Sequence, residues 1–140
     1  MEPIDQTSPF GEVITDAFAG EWIEAWNARD LGRIVSHYRE DLVLVSPFAA
    51  RAGAPGGVIR GLPSLREYFG RALQAFPELH FEPFAALAGV DSVALHYRSV
   101  EGREAIEVME LDRDRRVRRA AAHYGAAGGG RVVTPRPCRD

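Results

Sequence analysis

The 140-residue sequence contains no lysine and a single cysteine, Cys138, and each shortage excludes a class of chemistry. Without lysine there is no P-loop lysine, no Schiff-base lysine and no kinase-type lysine. A single cysteine forms neither an internal disulfide nor a cysteine-cluster metal site. No apolar run approaches the roughly 20 residues of a bilayer-spanning helix, and the acidic start lacks the apolar core of a secretory signal. We therefore expect a cytoplasmic protein with no membrane partner.

The charges are nearly balanced, with 17 basic residues, all arginine, against 20 acidic ones and a net charge of −3. A dedicated nucleic-acid partner would call for a basic face, so we expect none. The length is typical of one domain, which we place at residues 10–125, after a lead of residues 1–9 and before a flexible tail at 126–140. The sequence has no GxSxG, HExxH, CxxC or GxGxxG motif and no metal-type histidine spacing, so we expect no cofactor and no metal.

The first half of the chain has helical periodicity. Apolar residues recur every four positions behind a Ser8-Pro9 helix start, at Phe10, Ile14, Phe18, Trp22 and Trp26. This spacing predicts a helix over residues 10–28. A shorter helix is expected over 31–38, and a third over 63–76, where Pro77 ends it.

Strand-type segments lie between the second and third helices and again after Pro77, where the period changes to two. Residues 41–48 predict a first strand, and 58–61 a short extended piece after a loop at 50–57. Four longer strands are then expected over residues 79–87, 92–99, 104–112 and 117–124. Helices followed by a meander of strands indicate an α+β fold with a curved antiparallel sheet covered by helices on one face.

These segments together resemble a known family over about residues 12–125. The resemblance to the SnoaL-like and ketosteroid isomerase-like branch of the nuclear transport factor 2-like superfamily is carried by EWIEAWNARDLGRIVSHYREDLVLVSP, IRGLPSLREYFGRAL, the hairpin around VEGRE and the ending VRRAAAHYG. It implies a cone-shaped fold in which a strongly bent antiparallel sheet wraps three helices around an internal pocket. Family members are commonly dimers. Their activities include ketosteroid isomerisation, polyketide cyclisation and epoxide hydrolysis, and many only bind ligands.

The family's catalytic residues do not carry over to this sequence. Ser46 stands where ketosteroid isomerases have their general-base aspartate, Trp22 where they have an oxyanion-hole tyrosine, and Met109 where they have a protonated aspartate. Gly125 is the nearest match to the aspartate of polyketide cyclases. The scaffold therefore resembles theirs while the known chemistry does not transfer.

A set of mostly aromatic residues falls at positions that line the pocket in the resembled family. They are Trp22, Trp26, Tyr38, Ser46, Tyr68, Phe69, Tyr97, Met109 and Tyr124. Core packing is the alternative, and it is the favoured interpretation for Trp26 and Phe69. Tyr and Trp have polar tips that need partners when buried, so the rest indicate a mixed apolar and polar lining.

Glu107 is the candidate acid or base, because it shares a strand face with Met109 and should face the pocket. Its neighbour depends on the hairpin register. A three-residue loop with Gly102 in the left-handed region places Glu107 opposite Leu95, with Tyr97 inward; a two-residue loop places it opposite His96. The first register buries more apolar surface and is favoured. Either Tyr97 or His96 would then partner Glu107 in catalysis, although a buried glutamate without chemistry remains an alternative.

Two functions are compatible with the sequence. The first is binding of a small lipophilic molecule, with an isomerase, cyclase or hydratase type of reaction. The second is a non-catalytic interaction or assembly module. A continuous pocket with a buried ionisable group favours the first, and a cavity closed by Trp22, Tyr68 and Tyr124 the second. Because Ile106 and Val108 make the outer strand face apolar as well, we expect a homodimer through the convex sheet face.

Overall fold

The computed structural model describes residues 12–128, in which two strands lie among the helices and four more follow them. The helices are α1 (Glu12–Asn27), α2 (Leu31–Val35), α3 (Pro47–Arg51) and α4 (Leu62–Ala75). No helix of the described chain is long and apolar enough to cross a membrane. The Ser8-Pro9 start, Cys138 and the tail beyond residue 128 lie outside the described residues.

Six strands form one sheet in the order β2-β1-β6-β5-β4-β3. They are β1 (Tyr38–Val45), β2 (Val58–Arg60), β3 (Glu82–Ala88), β4 (Ser92–Arg98), β5 (Glu104–Leu111) and β6 (Val117–Tyr124). The α+β class is confirmed, but the expectation of a purely antiparallel sheet is wrong at one pair, because β1 runs parallel to β6. The path between these strands passes through α4 and four further strands, which is long enough for the crossover that a parallel pair requires.

The main local difference from expectation lies around Ser46. Residues 47–51, expected at the end of a strand and in a loop, form the short helix α3, so the described chain has four helices rather than three. Pro47 occupies the first helical position, and the Ser46 hydroxyl accepts a hydrogen bond from the Phe48 amide at 3.2 Å. Both features are favourable at a helix start. The first strand correspondingly begins and ends about three residues earlier than predicted.

The concave face of the sheet forms the core together with α1 and α4. Trp22 and Trp26 of α1 and Phe69 of α4 are buried, with ring centroids of Trp26 and Phe69 4.8 Å apart in an edge-to-face arrangement. Asn27, at the end of α1, fixes the helix to the chain before β3: its amide donates to the Phe81 carbonyl and its oxygen accepts from the Phe81 amide. The apolar faces of both helices are thus buried against the same side of the sheet.

The β4–β5 hairpin adopts the register that the sequence favours. Glu101 and Gly102 both have positive φ, 59° and 67°, in the turn over residues 100–102, and the Ser99 amide donates to the Arg103 carbonyl at 2.8 Å. Glu107 consequently lies opposite Leu95, and Tyr97 lies opposite Ala105. A side chain alternates between faces along a strand, so this register directs Glu107 to the concave side.

Candidate functional site

A cavity of about 590 Å³ lies between the concave face of the sheet and the helices. Its inner wall is aromatic and includes Trp22, Phe81 and Tyr97. Its mouth is bordered by residues 51–55 and by the exposed side of α4. This volume lies in the range of small-molecule sites, which combine an apolar lining with a few polar groups.

Most of the residues that the sequence places in the pocket do border the cavity. They are Trp22, Trp26, Ser46, Tyr68, Phe69, Tyr97 and Tyr124. Tyr38 and Met109 do not: both are buried in the core behind the lining. The Tyr38 hydroxyl instead accepts a hydrogen bond from the Trp22 indole at 3.0 Å, which satisfies the polar tips of both side chains.

Glu107 is the buried carboxyl of this cavity. It is 4% exposed, and its Oε1 accepts a hydrogen bond from the Tyr97 hydroxyl at 3.1 Å. Burial raises the pKa of Glu107 to about 7, and the hydrogen bond from Tyr97 opposes this rise because it stabilises the carboxylate. Glu107 therefore exchanges its proton near neutral pH, as an acid–base catalyst requires.

Three phenols share the cavity with Glu107. Burial raises the pKa of Tyr68, Tyr97 and Tyr124, and the charge of Glu107 raises it further in each case. Hydrogen bonding with Ser46 acts in the opposite direction on Tyr68 and Tyr124. The phenols thus stay protonated at neutral pH and remain hydrogen-bond donors.

His96 lies on the opposite face of the sheet from Glu107. Its cross-strand partner is Ile106, its ring lies 5.0 Å from that of Phe84, and its Nε2 is 2.8 Å from Glu104 Oε2. The hypothesis that His96 partners Glu107 is therefore wrong, because the three-residue turn assigns alternate residues of β4 to the outer face.

The charged mouth of the cavity was not predicted from the sequence. Arg51, Arg60 and Arg71 border it, together with Glu67. The helical periodicity of α4 could have identified Arg71, since it lies three residues after Tyr68 on the same side. Nothing in the sequence pattern indicated Arg51, because its segment was expected to be a loop.

Among the side chains described, those of residues 14–128, no three of His, Cys, Asp or Glu come together in a way that could hold a metal ion. The polar groups of the cavity are one carboxyl, several hydroxyls and the charged side chains of its mouth.

Comparison with known proteins finds one matching family and a set of similar structures. The SnoaL-like domain family matches residues 19–134. A SnoaL-like protein of unknown function from Burkholderia thailandensis is 47% identical, with a TM-score of 0.81 over 85% of this chain and 100% of that one. No match was found among curated proteins.

More distant structures share the fold alone. SalBIII, an epoxide hydrolase/cyclase-like enzyme with a role in pyran ring formation in the polyether salinomycin, is 22% identical with a TM-score of 0.65, covering 81% of this chain and 92% of that one. A protein of ketosteroid isomerase-like fold from Catenulispora acidiphila, solved with trimethylamine, is 14% identical with a TM-score of 0.65, covering 79% and 86%.

Proposed function

The chain belongs to the SnoaL-like domain family, and we propose that it is a proton-transfer enzyme acting on a small, largely apolar molecule, with Glu107 as its acid–base group. The observation that carries this proposal is the isolated carboxyl of Glu107 in a cavity of about 590 Å³, with a pKa of about 7. A continuous cavity with a buried ionisable group favours an enzyme over a purely structural module. The reaction would be of the isomerase, cyclase or hydratase type.

The proposed step is proton abstraction from a carbon next to a carbonyl. The C–H bond breaks, its proton passes to a Glu107 oxygen, and the electron pair moves onto the substrate oxygen as an enolate. Tyr68 and Tyr124 are the proposed donors to that oxygen, since the raised pKa of each keeps the phenol protonated. The proton then returns from Glu107 to another carbon. Alternatively, the enolate carbon attacks a second carbonyl of the same molecule and closes a ring; the π bond of that carbonyl breaks, and the alkoxide formed takes the proton from Glu107.

Tyr97 is the proposed positioning residue for Glu107. Its hydroxyl donates to Oε1 at 3.1 Å and leaves Oε2 without a hydrogen bond in the described chain. That oxygen is the proposed site of proton transfer. Trp22 and Phe81, stacked with ring centroids 5.8 Å apart, supply a flat apolar wall for the body of the substrate.

A ligand screen followed by isotope exchange tests this function. Lipophilic ketones, lactones and epoxides are screened by thermal shift, because a ligand that binds only the native state raises its stability. For each ketone found, deuterium exchange from solvent at the adjacent carbon is followed by NMR. We expect Glu107→Gln to slow this exchange by about 10²–10⁴-fold, the usual contribution of a general base.

Glu110→Gln is the matched control, since Glu110 lies on the same strand and faces outward with Arg118 3.5 Å away. It should retain wild-type exchange. Full exchange in the Glu107→Gln protein would contradict the assignment of Glu107. A screen in which no compound raises the unfolding temperature would contradict the cavity as a binding site.

The alternative function is a dimeric interaction module, and we propose that the convex face pairs with a second copy. Exposed apolar side chains on this side of the sheet carry the proposal: Phe84 is 42% exposed, Leu87 60% and Ile106 44%.

Light scattering tests the dimer. We expect a dimeric mass at micromolar concentration for the wild type and a monomeric mass for Ile106→Glu. Val90→Glu is the control, because Val90 is 99% exposed in the turn between β3 and β4 and lies off the sheet face. A monomeric wild type would contradict the proposal.

A further inference from the structure

We propose that the mouth of the cavity binds an anion, so that the substrate is an amphipathic acid: a flat apolar body inside the cavity and a carboxylate held by Arg51 at its entrance. This inference rests on the proposed function, because it names the substrate class of the same site. It concerns residues at the entrance, whereas the proton-transfer step concerns Glu107 inside.

The charged side chains at the mouth give it a positive balance. Three arginines, Arg51, Arg60 and Arg71, border it together with the carboxylate of Glu67. Glu101, which pairs with Arg51, is shared with a fourth arginine, Arg103, so the balance stays positive. Arg71 pairs with Glu67 at 3.2 Å one turn apart on α4, so these two charges largely compensate each other. A concave surface with an excess of one sign concentrates ligands of the opposite charge.

Arg51 is the best-placed anion ligand because its position is fixed while most of its donors are unused. Its guanidinium lies 4.4 Å from the centre of the Phe48 ring, and its Nη2 donates to Glu101 Oε2 at 3.1 Å. The other oxygen of Glu101 accepts from Arg103 Nε at 2.8 Å, so one carboxylate serves two arginines. A guanidinium has five N–H donors, and Arg51 therefore retains enough for a ligand carboxylate.

A short chain of aromatic contacts connects Arg51 to the phenols inside. Phe48 lies between them, with its ring 4.4 Å from the Arg51 guanidinium and 4.7 Å from the Tyr124 ring. A ligand that consists of one ring or of two fused rings is long enough to place a carboxylate at Arg51 and a reacting group near Tyr124. The spacing therefore selects a compact acid rather than a long-chain one.

The burial pattern explains why the anion belongs at the entrance. The inner cavity already contains the carboxyl of Glu107, and a second negative charge there would be desolvated and repelled. The side chain of Arg51 is 54% exposed, so a carboxylate beside it keeps part of its hydration. An acid would thus enter with its apolar end first.

A matched pair of probes tests this inference: 2-naphthoate, which is an anion at neutral pH, and 2-naphthamide, which has the same ring and no charge. Binding to the full chain is measured by calorimetry at low and high salt. We expect naphthoate to bind at least about tenfold more tightly than naphthamide, because its hydrogen bonds to a guanidinium are charge-assisted. High salt should reduce only the naphthoate affinity.

Three variants separate a ligand contact from a structural role. Arg51→Gln should abolish the preference for naphthoate and leave naphthamide binding unchanged, which also shows that the variant is folded. Glu101→Gln removes the carboxylate that pairs with Arg51 and leaves the positive charge of Arg51 in place. The naphthoate affinity should therefore stay the same or increase. Arg66→Gln is the control, since Arg66 is exposed on α4 and does not border the cavity.

The outcomes that overturn the inference are distinct from those that overturn the proposed function. Equal affinity for the two probes, or no binding of naphthoate, contradicts the anion site. So does a Glu101→Gln variant that loses naphthoate affinity as Arg51→Gln does, because the ion pair would then act structurally. Proton exchange that still depends on Glu107 would leave the proposed function intact in each of these cases.

Discussion

Replacement of Glu107 by glutamine should change how the stability of the protein depends on pH. The pKa of Glu107 is raised by burial from 4.5 to about 7, so the folded state retains this proton to a higher pH than the unfolded chain does. Between these two values the native state binds more protons, and the free energy of unfolding therefore decreases as the pH rises. Above about pH 7 the whole cost of burying the carboxylate is present.

The size of this effect follows from the two pKa values. A tenfold difference in proton affinity corresponds to about 1.4 kcal/mol. The difference between 4.5 and about 7 therefore amounts to about 3 kcal/mol of stability lost between pH 4 and pH 8. Glutamine at this position has no charge to desolvate, so the Glu107→Gln protein should lack this loss.

Urea unfolding at intervals from pH 4 to pH 9 measures the difference. The two tryptophans report unfolding, since Trp22 and Trp26 are both buried. We expect the stabilities of wild type and Glu107→Gln to be similar near pH 4. At pH 8 the variant should be the more stable protein by about 3 kcal/mol.

Glu110→Gln controls for the general effect of removing one negative charge from β5, and its difference from wild type should not change in this way with pH. Parallel wild-type and Glu107→Gln curves from pH 4 to pH 9 would refute the reasoning. They would show that the cavity solvates the carboxylate well and that the pKa of Glu107 is not raised to the range suited to acid–base chemistry.

Three further predictions concern the hydrogen bond to Glu107, two glycines and the activity. Tyr97→Phe removes the hydrogen bond that opposes the rise in the pKa of Glu107, so the pKa should move further above 7, as measured by NMR titration; an unchanged or lower value would contradict the assigned contact. Gly57→Ala should destabilise the protein by more than about 1 kcal/mol in urea unfolding, because φ is +70° and a Cβ would lie 2.7 Å from the Ser46 carbonyl oxygen. Gly20→Ala, in α1 with no atom within 4 Å of the added Cβ, should instead stabilise by about 0.5–1 kcal/mol, and the same sign for both variants would refute the argument. The protein should not isomerise a Δ5-3-ketosteroid, measured by absorbance of the conjugated product, and turnover at about 1–1,000 s⁻¹ would contradict this.

The sequence by itself predicted the order of the elements apart from α3, and the face on which Glu107 lies. The side of a single helix or strand that is apolar can be read directly from the spacing of its residues. This spacing is helical in α1 and α4 and alternating in β3 to β6. The β4–β5 register was also readable, because Gly102 tolerates the left-handed conformation and the resulting register buries Val93, Leu95 and Tyr97.

Of the nine residues that the family resemblance placed in the pocket, seven border the cavity and two do not. Trp22, Ser46, Tyr68, Tyr97 and Tyr124 border the cavity, and so do Trp26 and Phe69, for which core packing was favoured. Tyr38 and Met109 point into the core instead. Both kinds of position are apolar and inward-facing, so the sequence pattern does not distinguish them.

Tertiary structure alone decided the parallel pairing of β1 with β6 and the position of the arginines at the mouth, whereas the short helix after Ser46 has a local signal in Ser46-Pro47. The pairing joins strands separated by the whole intervening chain, whose path no local pattern specifies. The position of Arg51 depends on contacts with Phe48 and Glu101, the latter fifty residues away in the sequence. Local patterns determine which face of an element is buried; the distances between elements, and therefore which charges share a cavity, are determined by how those faces pack together.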